Sequence, residues 1–306
     1  MVASIRKRSN FISVSYEIKN NNKMNIKENF AFNLPDIDSL TNSFWKAKPF
    51  PFVVIDNFLN EDDFKILSDS VLEFASTPDY EFKNNIEGGK SIYSNNNSPE
   101  LVQKFVNTVS SDSFITKLCS MTGAQDIISL VELSDEHDAF RYFHEMKDGG
   151  ILGAHVDHSM IKDNVHFLNS LFYITPEWSE KWGGSTQFYK YYGLKFSTEV
   201  EYKPNRLILF LHSSKSFHKV SRIKNNKINR FSVYMDYYTH KDKLNSFIET
   251  ARNERNFSAK FWRHQTTFVP TFKQFLNSFI NRNKSFNRPY VYVFLKYLAK
   301  KYLRKI

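Results

Sequence analysis

From about residue 140 the chain changes from helical spacing of its apolar residues to a series of short β-rich runs. This change constrains the fold more than any other feature. Glycine, proline and asparagine turns, such as Gly149-Gly150, separate the runs. Closely spaced strands of this length, preceded by helices, predict an α+β fold with a β-sandwich or barrel buttressed by helices. The runs are Phe140–Phe143, Leu168–Ile174, Ser185–Tyr189, Arg206–Leu211 and Phe231–Tyr238.

Upstream of the β-rich region the sequence predicts one strand and several helices. The apolar run in Pro49–Asp56 is typical of a strand, and Asn60 with the acidic residues after it predicts a cap and a helix to about Phe74. Ser98–Met121 has the apolar spacing of one or two further helices. We therefore divide the chain into a polar N-terminal arm (1–45), a body (46–240, with its β core at about 140–240) and a C-terminal extension (241–306).

The positive charge is concentrated in the C-terminal extension. Residues 241–306 contain 15 Lys and Arg and 3 Asp and Glu, a net charge of +12, whereas residues 1–240 have a net charge of −2. A basic average usually suggests a nucleic-acid partner, but here it describes a basic helical extension of a nearly neutral body. In residues 289–306 a helical projection puts apolar and basic side chains on opposite faces, which is typical of helices at anionic membrane surfaces. A basic helix packed on the barrel is the alternative.

The cellular setting is predicted from three sequence features. Cys119 is the only cysteine, which excludes an internal disulfide and fits a reducing compartment. The basic N-terminus lacks the apolar run of a signal peptide, and no uncharged stretch reaches the length of a membrane-spanning helix. We expect a cytoplasmic protein, with peripheral binding to the inner face of a membrane if the tail is a surface helix.

A candidate metal site is indicated by His155-Val156-Asp157. Residues at i and i+2 of a strand share one face, so both side chains can reach one ion. His218 is the candidate third ligand, and two imidazoles with one carboxylate suit ferrous iron in oxygenases. His212 is the rival third ligand, but it lacks an arginine at a comparable distance downstream.

The sequence positions of three other histidines do not indicate a role as metal ligands. Strand parity directs His158 away from the metal. His144 and His166 have no partner pattern, so we predict surface or packing roles for them.

The order of motifs from Tyr142 to Tyr238 resembles the prolyl-hydroxylase-like branch of the 2-oxoglutarate/Fe(II) dioxygenases. The shared features are a Tyr-bearing strand, a Gly-rich turn, H-x-D, a strand ending in Tyr, an acidic/Trp turn, Gly-Gly, a Pro-led strand, a distal His and a later Arg. Here they are Tyr142, Gly149-Gly150, His155/Asp157, Tyr173, Glu177-Trp178, Gly183-Gly184, Pro204, His218 and Arg230.

The resemblance implies a double-stranded β-helix (jelly roll) with Fe(II) at one mouth, and 2-oxoglutarate and O2 as co-substrates. It implies that His155, Asp157 and His218 bind the iron and that Arg230 pairs with the distal carboxylate of 2-oxoglutarate. An arginine offers a fork of donors that matches a carboxylate, which supports this role independently. Tyr173 and Tyr142 are implied as hydrogen-bond partners of the co-substrate, although either tyrosine could equally be part of the aromatic core.

Three positions refine the prediction. Asp157 stands where halogenating relatives have Ala or Gly, which favours hydroxylation of an unactivated C–H bond. Nucleic-acid demethylases with this core carry a second Arg six residues after the first, and here that residue is Asp236, which argues against nucleic acid. Asn205 replaces a common glycine but tolerates a left-handed turn. The substrate, whether protein, small molecule or sugar, is open, and a non-catalytic metal-binding sensor or scaffold is the alternative function.

Overall fold

The computed structural model describes residues 29–84, 86–133, 142–191, 193–225, 227–255 and 266–269. Thirteen antiparallel strands form the centre of this described part of the chain. The strands are β1 (Phe52–Ile55), β2 (Tyr80–Lys83), β3 (Glu87–Tyr93), β4 (Ile128–Ser129), β5 (Phe143–Val156), β6 (Met160–Ile161), β7 (Asn164–Tyr173), β8 (Thr186–Lys190), β9 (Lys195–Val200), β10 (Arg206–Leu211), β11 (His218–Val220), β12 (Arg230–His240) and β13 (Thr267–Phe268).

Five α-helices in the same described residues buttress the strands. Asn60 caps the second helix, since its side chain accepts a hydrogen bond from the amide of Asp63. This confirms the helix start predicted from the sequence. The helices are α1 (Ile37–Lys46), α2 (Glu61–Leu72), α3 (Glu100–Val109), α4 (Asp112–Thr122) and α5 (Lys241–Arg255).

The strands pair in the order β1-β10-β7-β12-β5-β11-β8-β9. The long strand β5 connects the two halves of this path. Its first residues pair with β12 and β3, whereas Leu152 and His155 pair with β11. The sheet therefore curls into a nearly closed barrel, and the predicted jelly roll buttressed by helices is confirmed.

Successive side chains along the strands point alternately into two separate hydrophobic cores. On β7, Phe172 belongs to the larger core beneath the helices, whereas Leu171 and Tyr173 belong to a smaller core on the other face of the sheet. β10 alternates in the same way, with Leu209 in the larger core and Ile208 in the smaller one. Polar residues of the inner face therefore project into the barrel beside the smaller core.

Two predicted features differ from the structure. Gly149-Gly150 is not a turn between strands, because both glycines lie within β5. Gly149 has φ of 75°, and Gly150 lies against the backbone of Gly89, where β3 has an irregular register. A bulged strand uses the same positive φ as a turn, so the sequence does not distinguish the two.

The N-terminal arm also differs from expectation over its described part. Within residues 29–45, Phe30, Leu40 and Phe44 are buried in the larger core, and α1 begins at an Asp36 cap. In the C-terminal extension α5 is helical as predicted, but β13 adds a short strand against β5. The predicted helix at 289–306 lies outside the described residues.

Candidate active site

Three side chains predicted as metal ligands converge at one mouth of the barrel. His155 lies at the end of β5 and pairs directly with His218, the first residue of β11. Asp157 follows β5, so the H-x-D side chains share a face as the strand period requires. One ligand atom from each residue lies within 4.8 Å of the other two.

The spacing of the three ligand atoms suits a single metal ion. The Nε2 atoms of His155 and His218 lie 3.3 and 3.5 Å from the Asp157 carboxylate oxygens. Three ligands at about 2.1 Å from an ion, separated by about 90–110°, would be about 3.0–3.4 Å apart. The side chains therefore need little movement to close on a cation.

Hydrogen bonds orient both imidazoles for ligation. The Nδ1 of His155 lies 2.8 Å from the carbonyl oxygen of Gly153, and the Nδ1 of His218 lies 3.0 Å from that of Ser216. A carbonyl oxygen only accepts, so each Nδ1 carries the proton and each Nε2 presents its lone pair to the ion. The amide of Asn169 donates to Asp157 at 2.9 Å and fixes the carboxylate.

Electrostatics keep His218 and Asp157 in the protonation states that a metal requires. Burial and, to a lesser degree, the neighbouring His155 together lower the pKa of His218 to about 4. Burial opposes ionisation of Asp157, but His218 and His155 outweigh it and hold the pKa of that carboxyl well below its usual range. At neutral pH His218 is neutral and Asp157 is ionised.

Arg230 is fully buried on the inner face of β12 and has an unused donor. Its Nε donates to the carbonyl oxygen of Gly184 at 2.8 Å, and its Nη1 donates to the hydroxyl of Ser232 at 3.0 Å. The guanidinium also lies about 5 Å from the ring centres of Tyr173 and Tyr202. Among the described residues its Nη2 is buried with no hydrogen-bond partner. Such a donor fits a bound anion, as the distal carboxylate of 2-oxoglutarate would be.

The Gly-Gly motif makes room for this arginine. Gly184 has φ of 74°, and a Cβ there would lie 3.0 Å from the Cδ of Arg230 and 3.2 Å from the ring of Trp178. A side chain would therefore displace the guanidinium from the carbonyl oxygen that orients it.

The two tyrosines implied as co-substrate contacts occupy different places. Tyr173 is buried beside Arg230, and its hydroxyl lies 2.7 Å from that of Thr186. Tyr142 belongs to the larger core, and its hydroxyl donates to the side chain of Asn95. The structure thus brings Tyr173 to Arg230, whereas it places Tyr142 in the larger hydrophobic core, the alternative that the sequence left open.

Two residues to which the sequence interpretation gave no role interact with both Asp157 and Arg230. Lys90 is buried on β3, and burial lowers its pKa, while it also interacts electrostatically with Asp157 and Arg230. Tyr234, two residues beyond Ser232, interacts with the same two groups. The spacing of Tyr234 from Arg230 on β12 was a usable signal. Lys90 had none, because β3 was not predicted.

A second cluster lies next to the first. His158, His166 and Asp236 each bring a ligand-type atom within 4.8 Å of the others. Of the surface and packing roles predicted for His166, the structure shows packing, since its ring is buried; its Nε2 also lies 3.5 Å from Asp236, a partner that the sequence did not indicate. The rival ligand His212 stacks on His166 with ring centres 4.0 Å apart, and its Nε2 lies 3.2 Å from the backbone oxygen of Asp157. The three-residue clusters among the described residues do not include His212.

Comparison with known proteins identifies the domain that holds this site. Residues 141–238 match the family described as the 2OG-Fe(II) oxygenase superfamily. The chain carries a 2OG-Fe(II) oxygenase domain. This domain belongs to the class of 2-oxoglutarate-dependent oxygenases, which use Fe(II) as the cofactor and 2-oxoglutarate and O2 as co-substrates. The predicted superfamily, enzyme class and cofactor set are confirmed.

Several solved structures are similar to this oxygenase at low sequence identity, and no curated protein matches it. A prolyl hydroxylase from Trichoplax adhaerens, in complex with a hypoxia inducible factor peptide, has 18% identity and a TM-score of 0.49, covering 69% of this chain and 94% of its own. A Pseudomonas putida prolyl-4-hydroxylase has 15% identity and a TM-score of 0.46, covering 66% and 98%. HygX from Streptomyces hygroscopicus, with nickel and 2-oxoglutarate bound, has 9% identity and a TM-score of 0.46, covering 78% and 100%.

The C-terminal extension contacts the site through β13. Phe268 of β13 stacks on His155 with ring centres 5.1 Å apart, and β13 pairs with β5 at this point.

None of the helices in the described parts of the chain is long and apolar enough to cross a membrane.

Proposed function

We propose that this oxygenase hydroxylates an unactivated C–H bond, with His155, Asp157 and His218 as iron ligands and Arg230 as the 2-oxoglutarate anchor. The observation that carries the proposal is the buried, unpartnered Nη2 of Arg230 in the same barrel as the ligand triad. A bare metal-binding scaffold has no need for a desolvated guanidinium, because burying such a group without a partner is unfavourable.

The chain's own residues define how the co-substrate would lie. The Arg230 Nη2, which has no partner among the described residues, can donate to a carboxylate at the inner end of the barrel, and Tyr173 beside it can donate a further hydrogen bond. A 2-oxo acid held there would extend toward the triad, where the bound iron supplies activation of O2. The inner-face residues around Arg230 are buried, so water has little access to the reacting groups.

Hydroxylation is favoured by the complete ligand set. Asp157 supplies a carboxylate, so two histidines and one acid would hold the ion and supply three of its ligands. Relatives that transfer a halide leave the acid position without a ligand. With Asp157 present, the remaining positions suffice for 2-oxoglutarate and O2.

Anaerobic titration of the full chain tests the proposal. Addition of Fe(II) and then 2-oxoglutarate should produce a metal-to-ligand charge-transfer absorption band, and exposure to O2 should convert 2-oxoglutarate to succinate without added substrate. The Asp157→Ala variant should show neither result. Tight binding of Fe(II) without the absorption band or succinate would contradict the proposal and favour a non-catalytic metal-binding protein.

A further inference from the structure

We propose that His158, His166 and Asp236 form a second binding site for a divalent first-row transition metal ion, beside the iron site. Two imidazoles and one carboxylate form a donor set that such ions accept. One ligand-type atom from each residue lies within 4.8 Å of the other two. The site is separate from the oxygenase triad and shares no residue with it.

A β-bulge brings His166 into this position. β7 and β12 pair in register up to Tyr237 opposite Leu168, but the next pair is Tyr238 opposite His166. Phe167 is therefore the extra residue, and both Phe167 and Leu168 are buried in the larger core. The bulge reverses the alternation, so His166 faces the inner side of the barrel together with Asp236.

His166 has the hydrogen-bonding pattern of a metal-ligating histidine. Its Nδ1 lies 3.0 Å from the carbonyl oxygen of His158, so Nδ1 carries the proton and Nε2 presents a lone pair. The same arrangement orients the imidazoles of His155 and His218 in the first site. The ring of His166 is fully buried and held in place by stacking on His212.

The Nε2 lone pair of His166 faces the carboxyl group of Asp236 without forming a hydrogen bond to it. Among the described residues its buried Nε2 has no hydrogen-bond partner, because the nearest Asp236 oxygen is 3.5 Å away. That separation is the one found between ligand atoms in the first site. A shared proton would draw the two atoms to a hydrogen-bond distance, whereas a cation between them suits the observed spacing.

The remaining ligand is also oriented. The Nε2 of His158 lies 2.8 Å from the hydroxyl of Tyr238, whose ring packs against His166. Outer hydrogen bonds of this kind fix the ring of a metal-bound histidine. Burial raises the pKa of Asp236 to about 7, with the charge of Asp157 adding to the effect, so a bound cation would also displace a proton from this carboxyl.

Metal stoichiometry tests the site. Zn²⁺ is the probe because it keeps one oxidation state, and the chelator-treated full chain should bind two equivalents. Asp236→Asn and His166→Gln should each reduce this to one equivalent by weakening the second site at least about 100-fold. A variant with His155→Ala and His218→Ala should retain the other equivalent, measured by metal analysis without reference to activity.

The matched control is His240→Gln. His240 ends the same strand, has a side chain that is 41% exposed and lies 3.3 Å from Asp242, so it represents a partly exposed His–Asp pair. This variant should still bind two equivalents. Anomalous diffraction at the zinc edge should show an ion between His158, His166 and Asp236 even if one variant fails to fold. One equivalent in the wild type, two in Asp236→Asn, or no anomalous peak at the cluster would each overturn the inference.

Discussion

Replacement of Arg230 by lysine separates the charge of this side chain from its geometry. Lysine keeps a positive charge, but it has one nitrogen where arginine has three. In the structure Nε is used on Gly184 and Nη1 on Ser232, which leaves Nη2 for the co-substrate. We expect the fold to persist because the positive charge is retained. A single ammonium cannot donate in all three directions, so 2-oxoglutarate binding should weaken.

The magnitude follows from loss of a buried, charge-assisted contact. Truncating one partner of such a pair costs about 2–5 kcal/mol, and the retained charge places Arg230→Lys near the lower limit. About 2 kcal/mol corresponds to roughly a 30-fold rise in the 2-oxoglutarate dissociation constant. Arg230→Ala should reach about 2–4 kcal/mol because the charge is lost as well.

The assay is anaerobic titration of the Fe(II)-loaded protein, with the charge-transfer band as the signal. 2-Oxobutyrate serves as the ligand control, since it keeps the 2-oxo acid group but lacks the distal carboxylate. Its affinity should be nearly unchanged by Arg230→Lys. Arg222→Lys is the control variant, because Arg222 is an exposed arginine whose guanidinium donates to the backbone oxygen of Gly149 at 2.7 Å.

Two results would refute the assignment of Arg230. Unchanged 2-oxoglutarate affinity in Arg230→Lys would remove this residue from the co-substrate site. Equal weakening of both ligands would show that the substitution disturbs the metal centre instead. In either case the unpartnered Nη2 would need another anion as its partner.

Three further predictions concern the metal, the pH dependence and the tail. Asp157→Ala should abolish Fe(II)-dependent succinate formation whereas His240→Ala retains it, as measured by product analysis; activity in Asp157→Ala would exclude this carboxylate as a ligand. Burial holds the folded-state pKa of His166 at about 3 and that of His218 at about 4, below the ordinary 6.5, so the unfolded state binds more protons and stability falls as pH drops below 6.5. Urea unfolding of chelator-treated protein should show a loss of about 1 kcal/mol per pH unit between pH 6 and 5, because the raised pKa of Asp236 offsets about one of the two histidines. The loss should be smaller in His166→Gln, and an equal slope in that variant would contradict this origin. We propose that the net +12 extension binds anionic membranes, so liposome sedimentation should decrease with salt and on deletion of residues 290–306; deletion without effect on sedimentation would assign the tail another role.

The H-x-D pair of the oxygenase triad could be predicted from sequence because its geometry is local, whereas His218 followed from its place in the order of motifs. His155 and Asp157 share a face through the simple two-residue period of a strand, and that period persists in the structure. Arg230 was identified from its order after His218. The φ of 59° at Asn205 likewise confirms that this asparagine adopts the predicted left-handed turn. Where a role depends on residue type and regular alternation, sequence and structure agree.

Lys90 and the N-terminal arm were missed for different reasons. Lys90 lies on a strand of mixed composition, so its approach to the site arises only from pairing with distant β5. In the arm, by contrast, the Asp36 cap and the spacing of Leu40 and Phe44 already have the pattern of an amphipathic helix. That helix could have been predicted, whereas the location of Lys90 could not.

The second histidine cluster shows why parity arguments fail at a bulge. Counting alternately from Asn169 on β7 puts Phe167 on the inner face and His166 on the outer one. The extra residue in the pairing with β12 reverses this, burying Phe167 in the larger core and turning His166 toward Asp236. The energy that selects the bulge is burial of the large Phe167 side chain beneath the helices, a contact between segments far apart in sequence. The position of His166 therefore depends on packing on the opposite face of the sheet. The residues next to the histidine in the sequence do not predict that packing.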